Sequence, residues 1–193
     1  MSHTPKILAF AGSARKESFN KRLVQIAATG ARAAGAEVTN LDLRDLPIPL
    51  YDQDLEAEQG IPANVMKLKE LMKASQGLLI ASPEYNSSIT PLLKNTIDWA
   101  SRPAGDEPSL ACFVGKVAGI MSASPGALGG LRGLIHLRSI LGNIKVIVLP
   151  DQLAVTKAFE AFNPDGTLKD ANQQNAIERI GARVANVTAK LNA

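Results

Sequence analysis

Short continuous apolar runs alternate with longer stretches of helical periodicity along this chain, and that alternation restricts its fold more than any other feature. The first run, KILAFA from Lys6 to Ala11, shows no polar alternation and stops at Gly12, the pattern of a strand buried on both faces. From Asn20 to Gly35, apolar and small residues fall at 23, 26, 27, 30, 31 and 34, one face of a helix that Gly35 is suited to end. The same reasoning predicts strands over 37–43, 77–81, 116–121 and 145–149, and helices over 61–75, 91–100, 130–141 and about 169–191. Pro62 and Pro91 suit the first turns of their helices. The stretch 44–60, with Pro47 and Pro49, reads as a loop. Five strands alternating with five helices predict one α/β domain, a three-layer sandwich around a five-stranded parallel sheet in the order 2-1-3-4-5 with right-handed crossovers. Such a sheet binds ligands beyond the carboxyl ends of its strands, where the winding direction reverses. Function is therefore expected in the loops after strands one, three and four.

Composition excludes several classes. The 193 residues suffice for one domain, with 46% hydrophobic and 20% charged residues. No stretch approaches the roughly 18 apolar residues of a membrane span. Met1 to Lys6 carries no apolar signal region, so a cytoplasmic protein that needs no membrane is expected. The net charge of +3 is spread without a basic run, which argues against nucleic acid and suits small anionic molecules. Cys112 is the single cysteine, and its apolar surroundings, Leu110 to Val114, favour a buried small side chain over a reactive thiol. His3 in the N-terminal tail and His136 in a helical segment are too few for a metal site or a catalytic triad.

The three loops carry the chemistry. The first, Gly12 to Asn20, holds hydroxyls at Ser13 and Ser18, the Asn20 amide and the Arg15 guanidinium beside a helix start. Backbone N–H groups and the helix dipole there favour a phosphate dianion. The loop lacks GxxxxGK[ST] and GxGxxG, which points to a terminal monophosphate rather than a triphosphate or pyrophosphate. Ser18 or Asn20 could equally serve as a plain helix cap. The second loop, Ser82 to Pro91, is a polar turn with one aromatic, Tyr85, placed either to flank a ring or to cover the core. Glu84 reads either as a ligand-loop residue or as a solvated or capping carboxylate. The third loop, Ser122 to Gly130, has three glycines and two serines, allowing close approach to a flat ligand or forming a simple flexible turn.

GSARKESFNKRL, SPEYNSSITPLLKNTIDWASRP and SASPGALGGLRGLIHLRSIL together resemble the NADPH-dependent FMN reductase family, with the chromate and quinone reductases the most similar branch. The stretch Pro47-Ile48-Pro49-Leu50-Tyr51-Asp52 is also similar to a loop of that family. The resemblance implies a flavodoxin-like fold with non-covalent FMN. It implies phosphate binding by Ser13, Arg15, Ser18 and Asn20, with Phe19 in the same loop. It implies ring contacts from Pro83, Glu84, Tyr85 and Asn86 and from Ser122, Ser124 and Gly126. The chain departs from the family's common Pro-Gly pair after PEYN, carrying Thr90-Pro91-Leu92 instead.

The implied activity is transfer of electrons from NAD(P)H as co-substrate to small-molecule acceptors such as quinones, flavins or chromate, by alternating substrates at one flavin. No catalytic side chain and no metal is assigned, because the cofactor carries the chemistry. The alternatives are a non-enzymatic electron carrier of the flavodoxin type and a flavin-sensing module. A pI near 9.1 weighs against the carrier, since such carriers are usually acidic. The resemblance also implies a homodimer or homotetramer. Leu92, Leu93, Ile97 and Trp99 on one helix, and Leu131, Leu134, Ile135 and Leu137 on another, spread wider than one core-facing stripe requires.

Overall fold

A computed structural model describes residues 4–193; His3 lies outside them. The apolar runs pair as a parallel sheet in the order β2-β1-β3-β4-β5. β1 (Lys6–Ala11), β3 (Gly77–Ala81) and β4 (Val117–Ala123) form its middle, and every residue of β3 and β4 is buried. β2 (Glu37–Leu41) and β5 (Ile147–Val155) are the edges and are mostly exposed or half-buried. Register runs from Ile7↔Gly77 to Ala11↔Ala81 and from Gly77↔Val117 to Ala81↔Met121.

Because successive strand side chains point to opposite faces, each central strand feeds two cores. Ile7, Ala9, Leu79 and Met121 face one layer, made by α1 (Phe19–Ala33) and α7 (Ala171–Leu191). Leu8, Phe10, Ile80 and Ile120 face the other, made by α3 (Ala63–Lys73), α4 (Pro91–Ser101) and α5 (Leu131–Asn143). α1 and α7 touch backbone to backbone. A Cβ on Gly30 would lie 2.0 Å from the Glu178 carbonyl oxygen, and one on Gly181 would lie 1.8 Å from that of Ala27.

The structure departs from the sequence reading mainly at the edges. The second strand ends at Leu41, because Asp42 accepts the Arg44 N–H and starts a 3-10 turn over Leu43–Asp45. The expected loop 44–60 contains α2 (Gln53–Gln59), capped by Asp52 on the N–H groups of Asp54 and Leu55. None of its residues is buried, so it has no apolar stripe to betray it. The fifth strand continues through Pro150 to Val155, with a register slip opposite Ala118 to Ile120. That proline sits on an edge strand, where the missing N–H is tolerated. A short helix, α6 (Ala158–Ala161), follows it.

Leu93, Ile97, Trp99, Leu134 and Leu137 are buried in the chain's own core, so they offer no surface to a partner. Leu131 and Ile135 stay exposed. Cys112 is fully buried, and burial pushes its thiol pKa up.

The two glycine contacts set a test. Gly181→Ala forces a methyl group into the Ala27 carbonyl and should destabilise by about 1–3 kcal/mol, as overpacking does. Gly142→Ala, with nothing near its Cβ in α5, should stabilise by about 0.5–1 kcal/mol. Urea unfolding midpoints should move in opposite directions.

Candidate functional site

At Gly12 the chain leaves β1 and turns toward α1, and a cleft of about 200 Å³ opens there at the carboxyl ends of β1, β3 and β4. Ser13, Arg15, Ser18, Phe19 and Asn20 line it from the first loop. Pro83, Glu84 and Tyr85 line it from the second, and Ala123, Ser124 and Pro125 from the third.

The helix start is left open. Ser18 is the N-cap of α1, yet its side chain makes no capping hydrogen bond, and no acidic residue occupies the first turn. The positive end of the helix therefore meets the cleft with no carboxylate in its own first turn, and Glu17, just before the cap, is paired with Arg22. Ser13 and Ser18 are buried residues at that wall, and Arg15 is exposed, its guanidinium 5.0 Å from the centre of the Phe19 ring.

Two polar side chains register the loops. Asn20 donates from Nδ2 to the Ala123 carbonyl (2.8 Å) and accepts the Ala123 N–H at Oδ1 (2.9 Å). Thr90 donates to the Gly12 carbonyl (2.7 Å) and accepts the Leu93 N–H (3.1 Å), capping α4 with Pro91 behind it. Thr90 thus ties the second loop to the first.

The second loop closes as a tight two-residue turn. The Tyr85 N–H donates to the Ser88 carbonyl (2.9 Å), and the Ser88 N–H returns to that of Tyr85 (3.0 Å). Asn86 and Ser87 lie between at φ 50° and 68°, the left-handed region that hairpin turns demand and that serine seldom adopts. α5 holds this turn in place. Arg132 donates to Glu84 through Nε (2.9 Å) and Nη2 (2.6 Å), the Gly133 N–H donates to the same carboxylate (3.1 Å), and His136 Nδ1 lies 2.9 Å from Ser88 Oγ. The Glu84 carboxylate caps the start of α5, as one of its two sequence readings has it, and the residue also lines the cleft. Burial works to raise the Glu84 pKa, but the hydrogen bonds of Arg132 and Gly133 outweigh it and hold the carboxyl below its ordinary value.

Three sequence-predicted residues fall outside the cleft lining. Ser122 is interior to β4, fully buried, with its hydroxyl donating to the Ser82 carbonyl (2.7 Å). Asn86 is at the exposed tip of the turn, and the Gly126 N–H bonds Ser124 Oγ (3.3 Å) beside the cleft. Sequence reasoning missed Ala123 and Pro125, whose side chains carry no chemical signal. It also missed Thr90, Arg132 and His136, whose contacts are long-range.

A doubly wound sheet with an unneutralised helix start at its switch point defines a flavodoxin-like domain built to hold a phosphate-bearing ligand. A family model described as NADPH-dependent FMN reductase matches residues 5–160. An NAD(P)H-dependent FMN reductase of Pseudomonas aeruginosa is 37% identical over 180 residues, 93% of this chain and 92% of that one. A quinone reductase of Escherichia coli K12 is 39% identical over 153 residues, covering 77% and 76%. The solved structure of FerB, a flavoenzyme NAD(P)H:(acceptor) oxidoreductase from Paracoccus denitrificans, superposes with a TM-score of 0.81 at 26% identity, covering 97% and 98%. The chain belongs to the NADPH-dependent FMN reductase family. It is an enzyme, with FMN as cofactor and NAD(P)H as electron donor. Among the described residues, no helix is long and apolar enough to cross a membrane.

The Glu84 tie sets a pH test. A carboxyl whose pKa is depressed in the folded state adds stability at neutral pH, and loses it as pH falls through that folded value. Glu84→Gln should therefore lower the denaturation midpoint at pH 7. Its deficit against the native protein should shrink as the pH is taken below the ordinary glutamate range.

Proposed function

We propose that this chain is a cytoplasmic NAD(P)H:quinone oxidoreductase holding FMN non-covalently in the cleft, with donor and acceptor using one opening in turn. The observation that carries the assignment is the uncapped start of α1. Buried Ser13 and Ser18, the free N–H groups of the first helical turn and the Arg15 guanidinium form a donor set for a phosphate monoester, with no carboxylate in that turn to repel it. These groups fit the FMN phosphate. Asn20 shapes that wall through Ala123, and Phe19 closes its outer side. Pro83, Glu84 and Tyr85 with Asn86 on one side, and Ser124 with the nearby Gly126 on the other, border the space left for the ring.

Bound FMN supplies a two-electron centre that accepts a hydride equivalent from NAD(P)H and yields it to the acceptor. The side chains bind and orient; none is assigned a proton. With FMN seated among the three loops, the lining leaves a single opening for donor and acceptor to use in turn. Quinones are favoured as acceptors because relatives of similar length carry that activity in their names, among them the E. coli quinone reductase and a 2-hydroxy-1,4-benzoquinone reductase of a Burkholderia species, 34% identical over 145 residues. Free flavins and chromate are secondary candidates for the same opening. Exposed Leu128, Leu131 and Ile135 near the start of α5 support assembly as a homodimer or homotetramer.

Arg15→Ala should raise the FMN dissociation constant about ten-fold or more, since charge-assisted hydrogen bonds contribute about 1.5–3 kcal/mol, while the apoprotein keeps its unfolding midpoint. An unchanged FMN affinity removes Arg15 from the phosphate site. Double-reciprocal plots of NAD(P)H oxidation at several quinone concentrations should be parallel. Intersecting lines would show donor and acceptor bound together and end the shared-opening scheme.

A further inference from the structure

Phe159 is 71% exposed, a high value for an aromatic side chain beside a ligand cleft. It is nevertheless firmly placed. The Ser124 N–H donates to the Val155 carbonyl (3.1 Å), and the Ala158 N–H donates to that of Ser124 (3.1 Å). The short helix carrying Phe159 therefore hangs from a cleft residue. Beneath the exposed ring stand two more. Phe159 meets Phe19 edge-on, with ring centres 5.3 Å apart at 88°, and Phe19 stacks on buried Phe162 at 5.4 Å and 19°. The Arg15 and Arg22 guanidiniums lie 5.0 and 6.0 Å from the Phe19 ring centre, and exposed Lys157 immediately precedes the helix. Glu17 pairs with Arg22 (3.0 Å), and Glu160 and Asp170 are the carboxylates near Lys157.

An exposed ring braced by other rings is a platform on which a planar base can stack, and neighbouring cations suit the phosphates attached to such a base. The platform continues the cleft, because Phe19 and Arg15 belong to both. The electron donor has two halves. Its nicotinamide must reach the flavin, and with FMN in the cleft its adenylate must lie on the surface that borders it. Resting on the reductase reading above, we propose that Phe159 is a docking shelf for the adenylate half of NAD(P)H, with Lys157 and Arg22 supplying charge to its phosphates.

The test compares NADPH with reduced nicotinamide mononucleotide, which lacks the adenylate, on the FMN-loaded protein. Phe159→Ala should lower the ratio of kcat/KM for NADPH to kcat/KM for the mononucleotide about five-fold or more, and Phe159→Trp should restore it. Calorimetry should show adenosine 2′,5′-bisphosphate binding the FMN-loaded protein more weakly by a similar factor in Phe159→Ala. An unchanged ratio, or equal losses with both donors, overturns the shelf. So does a variant whose only change is its sedimentation, which would make Phe159 a contact between copies. If the native protein oxidises neither donor, the reductase reading falls, and the calorimetric arm still decides whether Phe159 binds an adenylate.

Discussion

The side-chain amide of Asn20 completes the sheet where the strands run out. β3 ends at Ala81 opposite Met121, while β4 continues two residues further to Ala123. On that side Ala123 has no strand neighbour, and Asn20 presents a donor and an acceptor in the manner of a peptide group. Buried backbone groups must be paired, so this amide both satisfies β4 and anchors the first turn of α1 against it. The cleft lies over this junction, with the second loop as its remaining wall. That junction is held by a hydrogen-bonded pair whose partners are 103 residues apart in sequence.

The same strand length explains what was legible beforehand. KILAFA and GLLIA announce themselves because strands covered on both faces are apolar at every position, and the sheet order follows from strand–helix alternation. β4 announces itself only in part. Its final residues, Met121-Ser122-Ala123, include a serine that reads as the beginning of a loop, but the strand goes on through it. The third loop therefore starts later than its composition suggests. That places Ser122 in the interior and brings Ala123 and Pro125 to the cleft. α2 was invisible for the opposite reason, since a helix that buries nothing leaves no periodic trace.

Side chains that reach backbone were the other blind spot. Thr90 on Gly12 and Asn20 on Ala123 leave no complementary residue type to find in the sequence, because their partners are peptide groups. One tie of α5 to the second loop belongs to the same class, Glu84 capping the Gly133 N–H across 49 residues, while Arg132 on Glu84 and His136 at Ser88 join side chains far apart in sequence. Their effect is to hold a turn of two left-handed non-glycine residues against a helix rather than leave it to solvent. Groups that must face a ligand accurately are better carried by such a braced turn than by a free loop.

The backbone contact between α1 and α7 bears on the order in which the molecule can be made. Gly30 leaves the ribosome about 150 residues before Gly181, an interval on the order of ten seconds at usual synthesis rates. From the synthesis of Met121 until α7 follows, some 60 residues later, the sheet face formed by Ile7, Leu79 and Met121 lacks the helix that completes its cover. A chain stopped before α7 leaves that apolar face without Ile177, Ile180 and Val184 to cover it.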